Sequence, residues 1–352
     1  MVTPQTNTTL DEIAERLSAL DDFAICGHVN PDGDCLGSQL GLYHALTNLG
    51  KQVCCLLAKD DPIDVGLRFL PGIENLVPAC EYQGRAKVFI GVDVPTIERI
   101  GDAASVQASA DVRFTVDHHA VDTTMADFTY VDPDAPAASL LIWQLAKKLN
   151  AVSQEVAQCC LTGLITDTGR FAYQNTNAES FIGAAEMMQA GANPTIVNRE
   201  FFQSRSLASV RLEQIVLERM EFYEEGAFVM SYLTKADFDS CKAIKADAEP
   251  LIDSLRSIRG VKVALILRET VSGQVRGSLR AKDDDTDVAA VARRFDGGGH
   301  KAAAGFTFFG SMNDARCALK QQVVAECFSI KDSQLESDST QFSSFVDSRD
   351  DK

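Results

Sequence analysis

A histidine and two aspartates fall within seven residues, in G-H-V-N-P-D-G-D-C-L-G-S, directly after the short apolar run FAICG (23–27). The spacing H-x-x-x-D-x-D, tightened by Pro31 and Gly33, can turn the imidazole of His28 and the carboxylates of Asp32 and Asp34 into one small space. The helix expected next would aim its first amides, and the hydroxyl of Ser38, at the same spot, which favours an anion. An ordinary strand-to-helix turn capped by Asp accounts for one of the two aspartates and not for the histidine. Asp93 ends a second apolar run, KVFIGVDV (87–94), and D-H-H at 117–119 ends a third. Burying Asp117, His118 and His119 without partners would be costly. Asp167 stands in L-I-T-D-T-G-R-F, at the end of an apolar helical stretch.

Together these segments offer His28, Asp32, Asp34, Asp93, His118 and Asp167 as ligands, with Asp117 and His119 behind them. Mixed imidazole and carboxylate donors suit Mn²⁺ or a similar divalent ion, and no thiolate at suitable spacing recommends zinc. A shared carboxylate could bridge two ions about 3.5–4 Å apart, an arrangement that activates water and steadies phosphoryl oxygens.

A second cluster lies far along the chain, in G-G-G-H-K-A-A-A-G-F (297–306). Gly297, Gly298 and Gly299 would let backbone N–H groups approach a phosphate, with His300 and Arg280 adding charge-assisted hydrogen bonds. The stretch also matches G-x-G-x-x-A, but a helix-like segment, DVAAVARRF, precedes it where a dinucleotide site needs a strand. Arg205, in F-F-Q-S-R-S, could reach a phosphate across an interdomain cleft; a solvated helix-end Arg is the plainer reading. His44 reads as structural and Cys35 as a buried thiol.

The elements that must position these residues alternate in type. FAICG, QVCCLL, KVFIGVDV and RFTVDHH read as strands, and Leu36–Leu49, 135–149 and 153–165 as helices, which predicts a parallel α/β sheet. Functional groups then gather beyond the carboxyl ends of its strands. SLASVRLEQIVLERMEFYEEG reads as one long helix ending at Gly226. Strands restart at AFVMSYL, VKVALILRE and QVRGSLRA, and a helix over about 312–326 closes a second, smaller α/β unit. The expected organisation is thus a metal-binding domain over 1–190, a helical linker over 191–226, a substrate domain over 227–327 and an acidic, Ser-rich disordered tail over 328–352.

The chain has 352 residues, 33 Lys+Arg against 50 Asp+Glu, and a formal charge of −17. Residues 1–190 carry 11 basic and 25 acidic side chains, whereas residues 251–310 carry 10 and 7. Such acidity disfavours long DNA or RNA at long range. No apolar run is long enough to span a membrane. Ten cysteines without a C-x-x-C pair, and a polar, acidic N-terminus, predict a cytoplasmic location.

The ordered series H-x-x-x-D-x-D, D-V-P, D-H-H and T-D-T-G resembles the DHH phosphoesterase superfamily, and G-G-G-H-K-A-A-A-G-F resembles its DHH-associated substrate-binding domain. The resemblance spans about residues 20–327 and is strongest to the oligoribonuclease/pAp phosphatase (nanoRNase) branch. It implies that His28, Asp32 and Asp93 hold one ion, and that Asp34, Asp93, His118 and Asp167 hold the other. His119 would contact the scissile phosphate, and Asp117 would orient a histidine ligand. It further implies two divalent ions, Mn²⁺ before Mg²⁺ or Co²⁺, whose activated hydroxide attacks phosphorus in line. The expected substrates are short oligoribonucleotides, linear dinucleotides such as pApA and pGpG, and pAp; a homodimer is compatible with it. Many relatives have a fourth glycine where this chain has Asp296. The alternatives are a RecJ-like single-strand exonuclease and a nucleotide sensor without turnover.

Overall fold

The computed structural model describes residues 3–60, 62–120, 124–270, 272–283 and 285–328, without the side chain of His300. The tail expected from Phe328 onward lies, from residue 329, outside the described residues. The chain divides into two compact units, Met1–Ser204 and Arg205–Lys352. The boundary falls inside the stretch read as a connector.

The strands of the first unit are β1 (Phe23–Cys26), β2 (Val53–Leu57), β3 (Leu76–Pro78), β4 (Val88–Val92), β5 (Val112–Asp117) and β6 (Phe128–Val131). All neighbouring pairs are parallel, in the order β3-β2-β1-β4-β5-β6. Every residue of β1 and β4 is buried. Strands covered on both faces read as continuous apolar runs rather than alternating ones, as the sequence here does. The helices are α1 (Leu10–Ala19), α2 (Gly33–Asn48), α3 (Ala104–Ser109), α4 (Ala138–Lys148), α5 (Gln154–Asp167), α6 (Ala178–Gln189) and α7 (Pro194–Val197). Strand order reverses between β1 and β4, and in such sheets a crevice opens there beyond the carboxyl ends. His28 follows β1 and Asp93 follows β4.

Helices α2 and α5 pack closely because glycines face the contact. A Cβ on Gly37 would lie 2.6 Å from the Cys159 carbonyl oxygen and 2.9 Å from the Gly163 nitrogen. Backbone-to-backbone approach of this kind brings the start of α2, with Asp34, near the end of α5, with Asp167.

The second unit holds α8 (Leu207–Glu218), β7 (Glu221–Tyr223), β8 (Phe228–Leu233), α9 (Lys235–Cys241), α10 (Leu251–Arg256), β9 (Val263–Glu269), β10 (Val275–Ala281), α11 (Val288–Arg293), β11 (Gly298–His300), β12 (Ala303–Phe308) and α12 (Met312–Cys327). Its sheet runs β11-β12-β10-β9-β8-β7 and is antiparallel except for the β8–β9 pair. The long helix expected up to Gly226 stops at Glu218, since residues 221–223 instead pair as β7 with β8. There the backbone of residues 221–223 pairs with β8 instead of continuing the helix, so tertiary contact overrides helical propensity.

Candidate metal centre

The proposed ligands stand just past the ends of β1, β4 and β5 and at the termini of α2 and α5. Asp32 is the N-cap of α2, one oxygen accepting the amides of Asp34 at 3.1 Å and Cys35 at 3.0 Å. Its other oxygen lies 3.8 Å from His28 Nε2. The cap and the ligand readings therefore use different oxygens of one carboxylate. These two amides are already taken, which corrects the expectation that they serve an incoming anion. Ser38 is fully buried with its hydroxyl unpartnered, so it does not present itself to an anion in solution.

Asp34 is buried and turns to α4, accepting the amides of Ala138 at 2.7 Å and Ser139 at 2.9 Å. Helix α4 has no side-chain cap of its own, so Asp34 fills that place from another helix. Asp93 has left-handed backbone (φ 52) and lies between two imidazoles. One oxygen is 3.5 Å from His28 Nε2, and the other is 3.5 Å from His118 Nε2 and 3.6 Å from His119 Nδ1. His118 Nε2 also lies 3.8 Å from Asp34 and 3.9 Å from Asp167.

The tautomers follow from the carbonyls, which can only accept. His28 Nδ1 donates to Val29 O at 3.0 Å and His118 Nδ1 to Ala135 O at 3.2 Å. In the neutral rings both Nε2 atoms then point a lone pair into the space among the carboxylates, where a cation could accept it, the state a metal ligand needs. The 3.5–3.9 Å spacings are too long for hydrogen bonds. They match donors sharing a first-row dication, which at about 2.1 Å each stand about 3–4 Å apart. Asp93 Oδ1 is buried and makes no hydrogen bond, a cost that a bound cation would remove. The donor set fits two divalent ions.

Electrostatics give the same demand for positive charge. Burial lowers the His28 value, yet Asp93 and Asp32 more than reverse this and push it up to about 9. Burial lowers that of His118, but Asp93, Asp34 and Asp167 together raise it well above the usual range. Burial and the neighbouring carboxylates Asp93 and Asp167 raise Asp34; burial likewise raises Asp167. Without a dication, protons must neutralise this cluster.

Asp117 departs from its expected partner. It is buried and lies 2.7 Å from His119 Nδ1 while accepting the backbone amide of His118 at 2.8 Å. It therefore orients His119, because His118 Nδ1 is already held by the Ala135 carbonyl. Cys35 approaches the cluster too, its sulfur accepting the His28 amide at 3.2 Å. Burial and the charge of Asp93 push that thiol up, so without a bound cation it stays protonated. His44 bonds the Pro71 carbonyl at 3.0 Å, a structural role. Asn175 was not singled out by sequence, since an amide within Y-Q-N-T-N reads as ordinary loop; its Nδ2 lies 3.1 Å from Asp167 Oδ2.

In the second unit the glycines form a β-hairpin rather than a helix-ending loop. Gly298 pairs with Gly305 and His300 with Ala303, and Ala303 pairs onward with Arg280, so the backbones of His300, Ala303 and Arg280 form one row. A Cβ on Gly297 would meet Gly305 O at 2.4 Å, and one on Gly299 would meet Ala303 O at 2.4 Å, whereas Gly298 faces open space. Asp296 is left-handed (φ 53), a conformation that Asp tolerates and Gly prefers. Arg205 is held by Glu213 at 2.8 Å and Ser209 at 3.1 Å within its own helix region.

Two family profiles match the chain: the DHH family N-terminal domain over residues 22–164 and the DHHA1 domain over residues 229–325. A bifunctional oligoribonuclease and PAP phosphatase NrnA from Thermus thermophilus is 30% identical over 85% of this chain and 88% of its own length. The chain belongs to the DHH family. A probable protein of the same name from Streptococcus mutans is 29% identical over 85% of this chain and 93% of its length. Among solved structures, an exopolyphosphatase-related protein from Bacteroides fragilis superposes with a TM-score of 0.84 at 28% identity, over 91% of this chain and 97% of that one. As a DHH protein, the chain carries its family's α/β architecture in both units. No helix among the described residues is long and apolar enough to cross a membrane.

Proposed function

We propose that this DHH protein is a manganese-dependent phosphodiesterase and phosphatase. Its substrates are oligoribonucleotides of a few residues, linear dinucleotides such as pApA and pGpG, and pAp, all cut to mononucleotides. The observation that carries this reading is Asp93, one carboxylate set between His28 and His118 with an unbonded buried oxygen. The relatives named for oligoribonuclease and PAP phosphatase activity supply the substrate class.

His28, Asp32 and Asp93 hold one ion; Asp34, Asp93, His118 and Asp167 hold the second. Bound dications supply Lewis acidity to water and to the phosphoryl oxygens. The protein's own part is to place the reactants. Asp117 fixes His119 by its Nδ1 proton, so the ring is oriented to contact the scissile phosphate and offset charge as it develops. The first unit is the catalytic domain and the second the substrate domain. There the outward face of Gly298 lets a phosphate approach backbone, with Arg280 and His300 in the same row and Arg205 as a further phosphate contact.

The test is hydrolysis of 5′-labelled dinucleotides and pAp by the purified full chain with Mn²⁺, alongside a 20-mer. Mononucleotide release from the short substrates, with slow attack on the 20-mer, is expected. No release by folded, metal-loaded protein overturns the proposal.

A further inference from the structure

Asn175 lies eight residues beyond Asp167, outside the T-D-T-G stretch. Its Nδ2 lies 2.8 Å from Pro136 O, 3.1 Å from Asp167 O and 3.1 Å from Asp167 Oδ2. Three acceptors surround one nitrogen, which settles the amide orientation, because the carbonyl oxygen could not face them. The chain reaches this point through an unusual turn. After α5 ends at Asp167, Gly169, Arg170 and Phe171 are all left-handed, with φ of 54, 62 and 61°. Thr168 O accepts the amides of Ala172 and Tyr173, both at 3.0 Å, and closes the turn. Two non-glycine residues in that region strain the backbone.

Pro136 belongs to a short segment that also holds His118 and Asp34. Ala135 O holds His118 Nδ1, and the amides of Ala138 and Ser139 hold Asp34. Asn175 ties Asp167 to that same segment. Asp167 is the most exposed of the three side chains, at 30% against 15% for His118 and 2% for Asp34, so it has the greatest freedom to swing away.

We infer that Asn175 is a positioning residue: it holds the Asp167 carboxylate in register with Asp34 and His118, and so sets the affinity of the second ion. This rests on the two-ion reading above. Calorimetric titration of the full chain with Mn²⁺, with melting of the metal-free protein, separates the two ideas. Wild type is expected to bind two ions. Asn175→Ala is expected to keep the first affinity and weaken the second by about 10–100-fold. Its metal-free melting should be nearly unchanged, and dinucleotide hydrolysis should recover as Mn²⁺ is raised. Wild type that binds no Mn²⁺ defeats the two-ion reading itself. A wild type with two ions and a variant of equal affinities overturns the role of Asn175. So does a variant whose two affinities fall alike with its melting point, which marks a structural tie. If Asn175→Ala does not fold, Asn175→Ser, too short to reach Asp167 but still polar, carries the same comparison.

Discussion

Asp34 accepts the amide of Ser139 at 2.9 Å across 105 residues of sequence, and its second oxygen accepts that of Ala138 at 2.7 Å. One carboxylate thus caps a helix and faces the candidate metal centre. Asp32, two residues away, caps its own helix with one oxygen and is 61% exposed against 2% for Asp34.

That contrast predicts different outcomes for one substitution. In Asp34→Asn an NH₂ must face a backbone N–H, leaving a buried donor unsatisfied at about 1–3 kcal/mol. In Asp32→Asn the amide oxygen keeps the cap, with a change within about 0.5 kcal/mol. Both should weaken Mn²⁺ binding. Urea unfolding of the metal-free proteins checks the first statement, and equal stabilities would contradict it.

Gly37 tests the helix contact that brings the ends of α2 and α5 together. A methyl there meets backbone atoms at 2.6 and 2.9 Å, which cannot yield as a side chain would. Gly37→Ala should destabilise the protein by about 1–3 kcal/mol and lower Mn²⁺ affinity together with it. Thermal melting with and without Mn²⁺ reads both effects.

Gly298 and Gly299 should separate in the second unit. Gly299 has φ 141 and would meet the Ala303 carbonyl, whereas Gly298 has nothing within 4 Å. Gly299→Ala should destabilise the hairpin. Gly298→Ala should leave melting unchanged and raise KM for a dinucleotide about tenfold at constant kcat, because the added methyl meets only the substrate. An unchanged KM would remove the phosphate contact from this hairpin.

Asp237 gives a pH dependence remote from the metal centre. Burial raises its value, but hydrogen bonds from Arg219, at 2.6 and 2.9 Å, and from Thr234 bring it below the usual carboxylate range. With the folded value below the unfolded one, its stabilisation is complete above the ordinary carboxylate range. It is lost as pH falls through the folded value. Asp237→Asn should cost about 1–3 kcal/mol at neutral pH and flatten the acid side of the stability curve. A parallel downward shift at every pH would contradict this.

Most elements can be read from the sequence because the apolar runs of β1 and β4 are short, continuous and followed by polar clusters. That pattern arises when a strand is buried on both faces and its end is not. The motifs at His28, Asp93, His118 and Asp167 are visible for the same reason: polar groups directly after buried strands or helices stand out against their surroundings. The end of α8 was not visible, since residues 221–223 are drawn into the sheet by β8, a partner that local propensity cannot register.

What the sequence by itself determined is which residues have the chemistry: imidazoles and carboxylates at the ends of apolar runs, and glycines where backbone must be approached. Only the tertiary structure decided which atoms meet. Asp117 turns to His119 because Ala135 already holds His118, Asp34 caps a helix more than 100 residues away, and Asn175 reaches Asp167 through a left-handed turn. These pairings depend on hydrogen-bond directions between segments distant in the chain. A single side chain's type and spacing carry no trace of them.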